Sequence, residues 1–149
     1  MTEQTGSDVV VEYAFDAPID RVWSAWTDPG IVGEWWGSDP AGVVTFAALD
    51  VRVGGGFEIC FRDSTSAEHT CFGTYLRVVP TTALEFTWAW VNEPGVTSRV
   101  TVEFETLDAE TRIRFVHSEL GAASGHDYAA GWRRTFGKLD RVLAVHAEG

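Results

Sequence analysis

The chain has 149 residues, 45% hydrophobic and 22% charged, a length and balance that fit one globular domain able to bury its core without disulfides or metal staples. Its 11 Lys and Arg stand against 22 Asp and Glu for a formal charge of -11, a field that repels phosphate backbones and excludes nucleic acid as an expected partner. Seven Trp and nine Phe exceed the needs of turns and surfaces, so something bulky and apolar is being lined.

The start, MTEQTGSD, has no basic n-region and no apolar h-region, and no apolar run in the chain approaches the ~20 residues of a membrane span. Membrane insertion is therefore not expected, and a cytoplasmic location is. Residues 1–7 read as a disordered polar tail and residues 8–149 as a single domain, since no repeat or linker divides them. Val9, Val11, Tyr13 and Phe15 alternate with Val10, Glu12 and Ala14, the period of a half-buried strand. The period then changes. In DAPIDRVWSAWTDPG, with Asp16 as N-cap and Pro18 in the first turn, Ile19, Val22, Trp23 and Trp26 recur at helical spacing until Pro29 and Gly30 interrupt them. A second short helix carries Ile31, Val32, Trp35 and Trp36 up to Gly37. Adjacent helix positions diverge by about 100°, so the two indoles can serve two surfaces.

Strands are predicted over Val43–Leu49, Gly56–Arg62, His69–Val79, Ala83–Val91, Val96–Glu105 and Thr111–Ser118, separated by Gly, Pro, Asn, Asp and Ser clusters. A symmetric hairpin at Ser64–Ala67 sets Ile59 opposite Phe72, Phe57 opposite Thr74 and Cys60 opposite Cys71. The same phase puts Phe72, Thr74, Leu76 and Val78 on one face with Trp90, Trp88, Phe86 and Leu84. Val96, Ser98, Val100, Val102, Phe104, Ile113, Phe115 and His117 continue that face. It is apolar apart from Thr74, Ser98 and His117, while Glu85, Arg99, Glu103, Arg112 and Arg114 mark the solvent side. The chain ends in an amphipathic helix with Tyr128, Trp132, Phe136, Leu139 and Leu143 on one stripe, opened by Ser124 as a cap and by His126 and Asp127 at the favourable end of the dipole. One strand, two short helices, six strands and a long helix make an α+β pattern, with helices laid on one face of an antiparallel sheet.

Several motifs dissolve on inspection. Gly54, Gly55 and Gly56 enter a strand without a following GK[ST] or helix, so they read as a tight turn flanked by an Asp50–Arg52 ion pair. Cys60 and Cys71 show no metal-site spacing and are expected as free thiols in a reducing compartment; no metal and no cofactor is expected. Asp63, Glu68 and His69 crowd one hairpin, where a solvated turn is preferred to an acid/base role. His117 lies on the inner face, read first as a hydrogen-bonded core histidine and second as a group that orients or protonates a ligand. Trp88 and Trp90 are also inner-face residues, for which core filling and cavity lining both stay open.

FDAPIDRVWSAWTDPGIVGEWWG, the DVRVGGGF turn, GTYLRVVPTTALEFTW and the terminal HDYAAGWRRTFGKLDRVL together resemble the domain of activator of heat-shock protein 90 ATPase homologues, of the START-like (SRPBCC, helix-grip) superfamily. The resemblance covers the chain after its tail. It implies a seven-stranded curved antiparallel sheet gripping the long C-terminal helix, two short helices closing one end, and an apolar cavity between. It also implies a choice among carriers of apolar ligands, polyketide cyclases or aromatases, and co-chaperone domains, which fold alone does not make. The eukaryotic co-chaperone has a further N-terminal domain with no counterpart here, which sets a chaperone partner behind a small ligand. The leading expectation is binding of a small apolar or aromatic ligand without catalysis, in a cavity lined by Trp35, Trp36, Phe57, Phe72, Trp88, Trp90, Ser98, His117, Tyr128 and Trp132. A co-chaperone module is the first alternative, and a cyclase or aromatase with His117 as its catalytic residue the second.

Overall fold

Alternating Val9, Val11 and Phe15 do bury one side of a strand, and the elements follow in the expected order. The computed structural model describes residues 3–5, 8–37, 39, 41–119 and 128–146. Strands β1 (Glu3–Thr5) and β2 (Asp8–Phe15) precede helices α1 (Ile19–Thr27) and α2 (Pro29–Trp35). Strands β3 (Val43–Leu49), β4 (Gly56–Arg62), β5 (Glu68–Val79), β6 (Ala83–Trp90), β7 (Thr97–Leu107) and β8 (Glu110–Ser118) lead to α3 (Tyr128–His146). They form one curved antiparallel sheet in the order β1-β2-β8-β7-β6-β5-β4-β3. Seven of the strands are those read from the sequence. The eighth, β1, falls in the tail expected to be disordered and pairs with Asp8–Val10; residues 1–2 and 6–7 lie outside the described residues, as do Ser124, His126 and Asp127.

The helix ends differ slightly from expectation. Pro18, not Asp16, is the N-cap of α1, in extended conformation with its carbonyl accepting from Arg21 and Val22. Asp28 ends α1 and begins α2: its carboxylate accepts from the Gly30 N–H at 2.8 Å, and Pro29 fills the first helical position, where its missing donor costs nothing.

Between β6, β7 and β8 the expected register holds, with Trp88 opposite Ser98, Phe86 opposite Val100 and His117, Val100 and Phe86 in one row. On β5 it does not. The loop between β4 and β5 spans residues 63–67, with Arg62 opposite Glu68, so Ile59 faces Cys71 and Cys60 faces Thr70. Every inner-face assignment on the first half of β5 is thereby reversed. Phe72 points out and is 43% exposed, while Cys71 and Tyr75 are buried. An irregularity between Tyr75 and Arg77 restores the expected pairing of Val78 with Leu84. Gly73 marks the crowded spot, since a Cβ there would lie 1.9 Å from the Thr87 carbonyl oxygen. Cys60 and Cys71 are both free, and the cross-strand pairing read for them is replaced by a Thr70 hydroxyl donating to Cys60 Sγ at 3.2 Å. Asp50 and Arg52 do pair, at 3.0 Å and largely in solvent.

The core lies between the concave face and α3. Tyr128, Trp132, Phe136, Leu139 and Leu143 form the buried stripe of α3. Phe136 meets Phe15 and Phe115 edge-on at 6.3 and 5.2 Å, and Trp26 from α1 packs against Trp35, Phe104 and Phe115. Edge-to-face packing of this kind suits ring quadrupoles.

Candidate functional site

The adjacent indoles at the end of α2 part company because the helix stops between them. Trp35 is the last helical residue; it is fully buried, and its N–H donates to the Ala25 carbonyl at 2.9 Å. Trp36 is already extended, with φ -67° and ψ 140°, and turns toward α3 and β6, where its ring lies 5.9 Å from both Trp88 and Trp132. Gly37 follows at φ 99°, a left-handed stop that favours glycine, and a Cβ there would press on the Phe61 ring at 3.2 Å.

Two polar side chains hold this segment in place. Lys138 of α3 is buried, and its ammonium donates to the carbonyls of Gly37 at 3.1 Å, Asp39 at 3.0 Å and Trp36 at 3.5 Å. A cation at a helix C-terminus is favourably placed. Burial lowers the Lys138 pKa, with the Asp39 charge acting the other way. Asp39 accepts from the Ser64 N–H and hydroxyl at 2.9 and 2.8 Å and from the Ala41 N–H, bonds that hold its pKa below the usual carboxylate value. The segment after α2 is thus tied to α3 on one side and to the β4–β5 loop on the other.

Behind it opens a cavity of about 400 Å³, lined by Trp36, Gly37, Phe61, His69, Trp88, Trp90, Asn92, Glu93, Tyr128, Gly131, Trp132, Arg134 and Thr135. Its walls come from the end of α2, from β4, β5 and β6, from the β6–β7 turn and from the first turns of α3. Trp88 and Trp90 meet edge-on at 5.3 Å, Trp88 and Trp132 at 5.2 Å. The Tyr128 hydroxyl accepts from the Trp90 N–H at 2.7 Å. Burial raises the Tyr128 pKa, opposed by the Trp90 indole and then by that of Trp88. The Trp88 N–H itself, though buried and near that oxygen, has no hydrogen bond of acceptable geometry. This donor is left under-satisfied within the wall of the cavity.

Of the residues expected to line a cavity, the structure brings five together there: Trp36, Trp88, Trp90, Tyr128 and Trp132. Trp35 is core. Phe57 borders a separate gap of about 10 Å³, at the lower limit for a single water. Phe72 is on the outer face, a correction that follows from the β5 register. Ser98 and His117 sit behind the wall. There the Trp132 N–H donates to His117 Nδ1 at 3.1 Å, and His117 Nε2 is 2.7 Å from Ser98 Oγ, which donates in turn to the Trp88 carbonyl at 3.4 Å. An indole only donates, so Nδ1 is the unprotonated nitrogen and Nε2 carries the proton to Ser98. His117 is fully buried in this chain, and its bonds steady the two indoles of the wall.

Sequence reasoning missed Phe61, which shares the face of Phe57 and Ile59 by simple alternation, and His69, which only a loop of residues 63–67 places opposite Phe61 on that face. Their rings are 5.4 Å apart, and His69 lies 6.3 Å from Trp90. His69 Nε2 is 2.8 Å from Asp63 Oδ2. The other oxygen, Asp63 Oδ1, accepts from the Thr65 N–H, the Thr65 hydroxyl and the Ala67 N–H. The His69 bond is the largest cause holding the Asp63 carboxyl far below the usual range, followed by the Thr65 hydroxyl. The loop signal was present in DSTS, where Asp63 makes an Asx turn and Ser66 adopts φ 72°.

No group of His, Cys, Asp and Glu among the described residues is arranged to hold a metal ion, and no described helix is long and apolar enough to cross a membrane. The family model of "Activator of Hsp90 ATPase homolog 1-like protein" matches residues 16–144. Among solved structures, a protein from Nitrosomonas europaea is similar at 17% identity, covering 99% of this chain and 100% of its own, with a TM-score of 0.84. A protein from Arthrobacter aurescens is similar at 23% identity, with coverage of 97% and 91% and a TM-score of 0.83. The AHSA1-like protein from Aeromonas hydrophila shares 22% identity over 94% of each chain, with a TM-score of 0.80. These identities establish a shared fold. Among curated proteins none matches in sequence. The family match spans most of the chain, and the chain belongs to the Activator of Hsp90 ATPase homolog 1-like family.

Proposed function

We propose that this member of the Activator of Hsp90 ATPase homolog 1-like family is a binding protein for a small aromatic molecule, held in the cavity between β4–β6 and α3, with residues 8–149 acting as one cytoplasmic unit. Membership supports a ligand-binding or co-chaperone type of domain in general. The observation that carries the finer reading is the cavity itself. A volume of about 400 Å³ falls within the roughly 300–1,000 Å³ usual for small-molecule sites, and six of its lining residues are Trp, Phe or Tyr. A core that needed only to be filled would have closed on these rings, since interiors pack with few voids larger than a water. Here Gly131 contributes no side chain, and Lys138 keeps Trp36 at the rim. Among the described residues the His117 chain is consumed by the wall, which favours binding over chemistry at that residue.

Native mass spectrometry of gently purified protein, compared with denaturing spectra, is expected to show a bound small molecule or uptake from a panel of aromatic compounds. Gly131→Leu, which fills the space, is expected to abolish uptake without unfolding the domain. Uptake unchanged in that variant, or none from any compound class, would overturn the reading. The co-chaperone reading rests on the family match and predicts stimulation of a cognate chaperone's ATPase rate; an unchanged rate removes it.

A further inference from the structure

We propose that the His69–Asp63 pair is the polar end of this cavity and selects aromatic ligands that carry a hydroxyl donor, the phenol class. The inference rests on the cavity being a ligand site and adds which chemistry it recognises.

The argument starts from what the polar lining groups already do. The Tyr128 hydroxyl takes the Trp90 N–H, and the Thr135 hydroxyl donates to the Gly131 carbonyl at 2.8 Å. His69 differs. Its ring lines the cavity between Phe61 and Trp90, with Nε2 committed to Asp63. Asp63 is fixed for this task. Three donors hold Oδ1, which leaves Oδ2 aimed at the imidazole, and an ionised carboxylate only accepts. In the neutral tautomer that donates to Asp63 the proton is on Nε2, which leaves Nδ1 as an acceptor, as when a carboxylate orients an imidazole in metal and catalytic sites. Among the described residues no hydrogen bond to Nδ1 is formed within the protein. The pair is only partly buried and adds little to the hairpin, whose turn Asp63 already closes through Oδ1.

Charge narrows the ligand further. Among the described residues Glu93 and Arg134 line the cavity, Asp63 stands behind His69, Glu68 and Arg62 flank the same hairpin, and the chain as a whole carries -11. A neutral ligand is favoured over an anionic one. A phenol meets each condition: its ring packs on Trp36, Trp88 and Trp132, and its O–H donates to Nδ1.

The test compares 2-naphthol with 2-methoxynaphthalene, which has the same rings and an oxygen acceptor but no donor, by equilibrium dialysis. The wild-type protein is expected to prefer the naphthol by about five- to tenfold, the worth of one partly buried hydrogen bond. His69→Phe keeps an aromatic wall and is expected to erase the preference while still binding the methoxy compound. Asp63→Asn presents an amide donor to Nε2, moves the imidazole proton to Nδ1 and is expected to erase the preference, because both probe oxygens can accept from Nδ1–H. A merely structural hairpin pair would not produce that loss. Equal affinity of both probes for the wild type, or a naphthol preference that survives in both variants, overturns the proposal and leaves the cavity reading standing. No binding of either probe overturns both.

Discussion

Replacing His117 with Leu tests whether this histidine is a strut of the cavity wall. The substitution keeps most of the volume and removes the bonds to Trp132 and Ser98. The Trp132 N–H then lacks its acceptor in a buried place, a cost of about 1–3 kcal/mol. Ser98 keeps the Trp88 carbonyl, at 3.4 Å, so loss of its imidazole partner adds about 1 kcal/mol. The apolar side chain returns about 1 kcal/mol through burial. The net destabilisation is about 2 kcal/mol, which lowers Tm by about 4–8 °C in a domain of this size. Urea unfolding with an unchanged m value measures it. Ser98→Ala alone removes the Oγ acceptor that His117 Nε2–H meets at 2.7 Å, a penalty absent once the ring is gone. The double variant is therefore expected to lose at least about 0.5 kcal/mol less than the sum of the singles. A His117→Leu protein within about 0.5 kcal/mol of wild type, or strict additivity, would refute the donor chain.

Further expectations concern pH, register and the rim. Burial pushes the Cys71 thiol from 9.0 up to about 12 and raises Tyr75 and Tyr128 from 10.0, so the folded state holds these protons more tightly than the unfolded chain. Their contribution is complete below the unfolded pKa values and is lost as pH rises through and beyond them; Lys138, with a lowered pKa, contributes with the opposite sign below 10.5. Urea midpoints should fall above pH 9, with a shallower slope in Cys71→Ala; identical slopes would contradict the assignment. Phe72→Ser should change stability by no more than about 0.5 kcal/mol, whereas Tyr75→Ala should cost about 3–5 kcal/mol. The reverse order in chemical denaturation would show the β5 register to be misplaced. Lys138→Met leaves the carbonyls of residues 36, 37 and 39 without their donor and should cost about 1–3 kcal/mol. Faster amide exchange across the segment after α2 is its signature, and exchange equal to wild type would remove the latch.

Local order was largely legible in the residues. Period-two alternation located β2, β6, β7 and β8 with their inner faces, and Pro29 beside Asp28 marked the break between α1 and α2. The stripe from Tyr128 to Leu143 showed which side of α3 is buried. These are short-range consequences of helical and strand geometry, so the sequence alone determines them. What it leaves open is phase across loops. One residue more between β4 and β5 turned Phe72 outward and brought His69 inward opposite Phe61, and the correction at Tyr75 cancelled the error before β6. Because side chains alternate strictly along a strand, so small a change of loop length exchanges the two faces, while both faces of β5 carry apolar residues and pattern alone cannot choose. Whether aromatic rings fill a space or surround it is likewise settled only by packing in three dimensions. Trp35 and Trp36 are identical in type and adjacent in sequence, yet one closes the core and the other walls the cavity, because the helix ends between them and Lys138 captures the carbonyls that follow.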